Sequence, residues 1–153
     1  MQHMFHRLIM NWYGLIFNSY PKRNLYYCII KKREGNSTLI DEIKDQMGDK
    51  IPDCIIASVG GGGLMIGLIE GLIKNGWMEK EIKLIAVESR GADCFSESIK
   101  QQKLITLDSI QSVCKSLGAK TCSKKLFEYY NQYKNKIESV VLEGITNIKC
   151  DTF

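Results

Sequence analysis

Four consecutive glycines, Gly60 to Gly63, join the apolar run Asp53-Cys-Ile-Ile-Ala-Ser-Val59 to a second apolar run, Leu64 to Ile73. Without Cβ atoms the backbone can take positive φ and approach a ligand closely, so several N–H groups can converge on one anion. A helix starting directly after the glycines adds its unpaired first-turn amides and the positive end of its dipole. The chemistry this pattern can do is phosphate binding. A turn that only packs a helix on a sheet needs one or two glycines, not four. The dinucleotide fingerprint G-x-G-x-x-G, counted from Gly61 and Gly63, needs glycine where Ile66 stands, the available one being Gly67. Glu88, however, ends the next apolar run about where a ribose-binding acid belongs, which keeps a nicotinamide dinucleotide site as the rival reading. A Walker A loop needs Gly-Lys-Ser/Thr after the glycines, and Leu64-Met65 follows instead.

The elements that must position this loop are legible from periodicity. Asn36-Ser37-Thr38 can cap a helix running to Met47, with Leu39, Ile40, Ile43 and Met47 on one side and Asp41 and Glu42 in its first turn; Gly48 and Pro52 close it. The continuous apolar run 53–59 reads as a parallel strand buried on both faces. Leu64, Leu68 and Leu72 recur at helical spacing, Gly67 and Gly71 would let that helix approach the sheet, and Gly76 ends it. Lys83 to Glu88 supplies a second strand and completes a βαβ unit. Residues 89–93 read as a loop, 94–103 and 109–115 as short helices, 123–133 as a helix and 137–142 as a third strand.

With 153 residues, 44% apolar and 25% charged, the composition is that of a globular domain with one core. The net charge of +4 is uneven: residues 1–34 hold six Lys/Arg against Glu34, while 35–153 hold fifteen basic against sixteen acidic. That leaves the body near neutral, and Lys124, Lys125, Lys134 and Lys136 read as a solvated helix face, which argues against nucleic acid as a partner. Leu8 to Phe17 is too short and interrupted for a membrane span, although an acid-free basic opening also has the composition of an organelle-targeting leader. The six cysteines include no C-x-x-C pair and read as buried free thiols in a reducing compartment, so a cytoplasmic location is expected. His3 and His6 are the only histidines, too few for a His-based metal site or triad.

Several segments together resemble L-serine dehydratase/L-threonine deaminase, of the pyridoxal-phosphate-dependent fold type II group. They are Glu34-Gly-Asn-Ser-Thr-Leu-Ile-Asp-Glu-Ile43; Ser58-Val-Gly-Gly-Gly-Gly-Leu64 with Gly67, Gly71 and Gly76-Trp77; Ile85-Ala-Val-Glu88; Gly91-Ala92; Lys103-Leu104; Ser112-Val113; and Lys115-Ser-Leu-Gly-Ala-Lys-Thr121. The match runs over about residues 34–143. It implies a three-layer α/β fold around a mostly parallel sheet, as a fragment of the family's large domain. Residues 35–143 would be the partial cofactor-binding domain, with 1–34 and 144–153 unmatched. It implies that Gly60, Gly61, Gly62 and Gly63 grip the phosphate of pyridoxal 5'-phosphate. It also implies a monovalent cation, potassium, held by carbonyls of Gly60, Ala92, Leu117 and Ala119 with the Glu88 carboxylate. Where the family often offers a serine hydroxyl this chain has Cys94, a poor ligand for such an ion. The bland reading of Glu88 is a strand-end carboxylate in water or at a helix N-terminus.

The activity implied is ammonia elimination from L-serine or L-threonine, with a homodimer as the family assembly. The motif Ser-x-Lys-x-Arg-Gly, whose lysine carries the cofactor, is missing, and Ser123-Lys124-Lys125 is not a substitute for it. No catalytic residue is therefore assigned. A truncated or misjoined, catalytically incomplete chain is expected, with a non-catalytic fragment docking on a full-length homologue as the alternative.

Overall fold

The computed structural model describes residues 22–112, 115 and 118–143, with side chains from residue 34 onward. The chain divides into two units at Lys32/Arg33, and all contacts discussed below lie in the second.

Helix α1 (Lys22–Met47) begins well before Asn36. The expected cap at Asn36-Ser37-Thr38 is therefore absent. Ser37 Oγ donates to Glu34 O at 2.7 Å and Thr38 Oγ1 to Gly35 O at 2.8 Å. Short hydroxyl side chains can satisfy themselves against the preceding turn, so their presence does not oblige a helix to start. Gly48, at φ 62°, ends α1 by donating to Lys44 O. Ile40 is fully buried and packs on Gly71, where an added Cβ would lie 2.6 Å from Ser37 O and 2.7 Å from Ile40 Cγ1. Gly71 thus makes room for α1 rather than for the sheet.

Three parallel strands follow in the order β1-β2-β3: β1 (Cys54–Ser58), β2 (Lys83–Ser89) and β3 (Ile137–Leu142). Between β1 and β2 runs α2 (Gly63–Lys74), apolar nearly all round because it is covered by the sheet, α1 and a later helix. It stops in a Schellman motif: Gly76, at φ 67°, donates to Ile73 O and Trp77 to Leu72 O. Met65, Ile66, Ile69 and Leu72 of α2 meet Leu84, Ala86 and Ile137 of the sheet to form the core.

After β2 comes α3 (Cys94–Lys100), three residues shorter than expected. Gln102 takes φ 53° and donates to Ile99 O while Lys103 donates to Ser98 O, so a Schellman stop forms without glycine to announce it. The helix expected over 109–115 does not form in its described part, 109–112. There Gln111 N is tied to Gly91 O at 2.9 Å and the hydroxyls of Ser89 and Ser112 lie 2.7 Å apart, so this segment spends its polar groups on the β2–α3 loop. Helix α4 (Lys124–Gln132) buries Leu126 and Tyr129 and leads into β3.

The strand expected to be buried on both faces is covered on one. In β1, Ile55 and Ala57 pack on the core, whereas Cys54, Ile56 and Ser58 are exposed. Cys54 is thus an exposed thiol; Cys94 and Cys122 are buried as expected, and Cys114 and Cys150 lie outside the described residues.

Candidate functional site

The glycine loop sits at the C-terminal ends of the parallel strands, the edge at which open α/β sheets bind their ligands. Val59 N donates to Val87 O at 2.8 Å, extending the pairing one residue past β1 before the chain turns away. Gly62 turns it into α2 with φ 92° and ψ 4°, a left-handed conformation that side chains oppose. An added Cβ there would stand 2.7 Å from Leu126 Cδ2, so α4 closes the floor of the loop. The loop is also strapped to the start of α4, because Ser123 N donates to Gly61 O at 2.9 Å.

The first helical bond is Ile66 N to Gly62 O at 2.9 Å. The amides of Gly63, Leu64 and Met65 precede it and have no partner within the helix. Gly61 and Gly63 face solvent, and a Cβ added to Gly63 would meet nothing within 4 Å. The result is a closed floor under an open rim of amides, suited to an anion of phosphate size. The residues present therefore fit the phosphate of the cofactor that the sequence implies. A cavity of about 190 Å³ adjoins the loop, lined by Ser58, Val59, Val87, Glu88, Ser89, Ala92 and Leu142.

The candidate cation residues are brought near one another in part. A Cβ added to Gly61 would lie 4.0 Å from Ala119 Cβ, and one added to Gly118 would lie 3.3 Å from Ala92 Cβ. The Cys94 thiol donates to Gly60 O over a long 3.9 Å. Leu117 lies outside the described residues. Glu88 is the last residue but one of β2, lies on the covered face and is only 3% exposed. Its Oε1 accepts from Phe95 N at 3.0 Å and its Oε2 from Ser96 N at 2.7 Å, which holds the first turn of α3. Burial pushes Glu88 up to about 7, while these two amides pull it back down. Among the described residues no group of three or more His, Cys, Asp or Glu is placed to hold a metal. A cation here would rest mainly on backbone carbonyls.

Three contributors escaped the sequence reading. Leu126 forms the floor, Ser123 supplies the strap, and Cys122 lies against Cys94. The hydrogen bond with Cys122 and burial push the Cys94 thiol well above the usual thiol range, so it stays protonated. Only Leu126 carried a signal, its place in the apolar register of α4. The strap and the thiol pair join residues 62 and 28 positions apart, which no local pattern records.

Comparison with known proteins places the fold and the family. The family model for pyridoxal-phosphate dependent enzymes matches residues 26–147. The bovine (Bos taurus) L-serine dehydratase/L-threonine deaminase is 39% identical over 100 residues, covering 65% of this chain and 30% of that protein. A human (Homo sapiens) serine dehydratase-like protein is 40% identical over 110 residues, covering 72% and 32%. The crystal structure of a fungal L-serine ammonia-lyase from Rhizomucor miehei superimposes with a TM-score of 0.62 at 32% identity, covering 73% of this chain and 33% of that one. The chain thus spans about a third of the length of these three relatives. With the family model extending over most of its residues, this chain belongs to the pyridoxal-phosphate dependent enzyme family.

Proposed function

We propose that this chain is the phosphate-binding part of an L-serine/L-threonine ammonia-lyase, an enzyme that eliminates ammonia from its amino acid to leave pyruvate or 2-oxobutanoate. The observation that carries the reading is the cup, with Gly62 left-handed over Leu126 and the first amides of α2 uncommitted among the described residues. Pyridoxal 5'-phosphate, when bound, supplies the electron sink for such an elimination. Gly60, Gly61, Gly62 and Gly63 hold its phosphate through their amides. Potassium is proposed on the carbonyls of Gly60, Ala92, Leu117 and Ala119. For Glu88 to join them, its carboxylate has to share or give up the amides of Phe95 and Ser96. Residues 35–143 form the binding domain in this reading, with 1–34 and 144–153 outside it. A cytoplasmic location and a homodimer of the family type belong to the same proposal. Among the described residues no helix is long and apolar enough to cross a membrane.

No Ser-x-Lys-x-Arg-Gly motif occurs in the 153 residues, so the chain by itself holds no lysine to carry the cofactor and move the α-proton. It is expected to bind pyridoxal 5'-phosphate weakly, to bind pyridoxal hardly at all, and to form no pyruvate from L-serine beyond free cofactor. Titration calorimetry with the two vitamers and NAD tests the cup, and tighter binding of NAD would sink the reading. Gly63→Asp is the clean control: it sets a carboxylate at the rim without a clash, whereas Gly62→Asp would drive a Cβ into Leu126. Turnover well above that control, with a borohydride-trapped cofactor on one lysine, would show the chain to be complete.

A second reading, a non-catalytic fragment that docks on a full-length homologue, is favoured by the uncovered apolar face of the sheet around Ile56. It requires co-elution with a full-length serine dehydratase that Ile56→Glu abolishes.

A further inference from the structure

At the opposite end of the sheet a larger cavity, of about 610 Å³, opens between β3, α3 and the α4–β3 connection. Lys83 and Ile137, which line it, stand at the N-terminal ends of β2 and β3, whereas the glycine loop follows the C-terminal end of β1. A five-residue strand separates the two ends by roughly 15 Å, so one small anion cannot touch both. The volume falls within the range of small-molecule sites.

The charge of the lining is one-sided. Lys83, Lys100, Lys134 and Lys136 contribute ammonium groups, against the single carboxylate of Glu138. Lys100 is paired with Glu97 at 2.8 Å; among the described residues the other three lysines form no ion pair. Two of those three are already positioned by neutral carbonyls that leave the charge intact. Lys83 Nζ donates to Asn135 O at 2.6 Å, and Lys136 Nζ donates to Lys80 O. Lys134 and Lys136, which the sequence alone places on a solvated helix face, lie beyond the end of α4 at Gln132 and turn to this cavity instead.

A second observation separates the cavity from an ordinary lysine-rich surface. Ser139 is level with Ala86 across the ladder and so faces the helical side of the sheet, and it lines the cavity. Its Oγ is buried and is the one such side-chain atom among the described residues without a hydrogen-bond partner. Buried hydroxyls are normally satisfied, and an unsatisfied one calls for a group to meet it. The Tyr130 ring, held edge-on by Phe95 at 5.9 Å between centroids, gives the cavity an apolar wall.

We propose that this cavity binds a small molecule bearing two or more negative charges, of the phosphate or carboxylate class. The ammonium groups of Lys83, Lys134 and Lys136 hold the charges, and Ser139 Oγ, closed off as it stands, fixes one oxygen once its side chain rotates toward the cavity. The site is separate from the glycine loop and does not depend on the function proposed for it.

The test is calorimetric titration of the full chain carrying Gly63→Asp, which disables the glycine cup, with inorganic pyrophosphate and separately with citrate. Saturable binding that survives Gly63→Asp is expected. It should weaken about tenfold in Lys134→Gln/Lys136→Gln and about threefold in Ser139→Ala, with neither melting temperature lowered, and fall as salt rises. Tighter binding of pyrophosphate assigns the phosphate class, and tighter binding of citrate the carboxylate class. Three outcomes overturn the proposal: no saturable binding of either anion, binding indifferent to all these substitutions, or binding that responds to the lysines but not to Ser139→Ala. The last would reveal a diffuse charge effect. Loss of pyrophosphate binding on Gly63→Asp alone would instead place the anion at the glycine loop.

Discussion

On the helix-covered face of the sheet Leu84, Ala86 and Ile137 are at most 4% exposed, whereas on the other face of the same strands Ile56 is 63% and Leu142 56% exposed. Between those two, Ile85, Val87 and Val140 complete an apolar stripe on the open face, half-buried by one another. Both faces carry side chains of one kind. What differs is whether a helix lies over them, and helices α2, α3 and α4 all pack on one side. A parallel strand with apolar residues on both faces is the pattern of a sheet covered twice. The open face is therefore composed for a second layer that the described residues do not supply, in keeping with a chain that spans about a third of its relatives' length. Among the described residues β1 is also an edge of this sheet, with unpaired backbone groups beside the exposed Ile56.

The largest effect should come from the covered face. Leu84→Ala is expected to cost about 2–5 kcal/mol in urea unfolding, because the hole opens against Ile69 and Ile137 in a core that cannot collapse fully. A cost below that of Ile56→Ala would break the comparison.

The one acid buried on the covered face gives the next test. Glu88 is held up at about 7 in the folded chain against 4.5 without the fold, so the folded state binds its proton more tightly. This group's contribution is therefore most favourable below about pH 4.5, falls as pH rises to about 7, and is flat above, by at most about 3 kcal/mol in all. Glu88→Gln should remove that slope from the melting profile. A wild-type melting temperature that rises from pH 5 to 7.5 relative to Glu88→Gln would contradict the assignment. If potassium binds there, adding it at pH 8 should raise the wild-type melting temperature more than lithium does, and should raise that of Glu88→Gln less.

Gly71→Ala probes the seam between α1 and α2. The added methyl has to displace Ser37 O and Ile40, and about 1–3 kcal/mol of overpacking is expected despite alanine's better helix propensity. A gain in stability would mean that α1 is more loosely seated than its contacts imply. The smallest effect belongs to the open face. Ile56→Thr should change stability by no more than about 0.5 kcal/mol while reducing self-association measured by light scattering. A cost of several kcal/mol would show that this face is covered in solution by the chain itself or by a second copy.

Much of the strand–loop–helix–strand centre was legible from the residues. Glycine has few reasons to recur four times between two apolar runs, and the periods of 2 and 3.6 are local properties of the chain, so β1, α2, β2, α4 and β3 all lie close to where the pattern put them. The misreadings have two causes. The start of α1 and the early stop of α3 at Gln102 each turn on a hydrogen bond whose alternative is equally local, whereas 109–112 is drawn away from a helix by partners at Gly91 and Ser89, too distant in the chain for a local pattern to record.

By itself, then, the sequence determined the parallel βαβ unit and the loop able to meet a phosphate, because glycine content and apolar spacing act over a few residues at a time, while the family came from the resemblance of several segments taken together. Only the tertiary structure decided that Leu126 closes the floor of that loop, that Glu88 turns to the amides of α3, that Gly71 serves α1, and that one face of the sheet is bare. Each of those depends on separate elements meeting in space, and burial, which sets the value of every polar group involved, exists only after they have met.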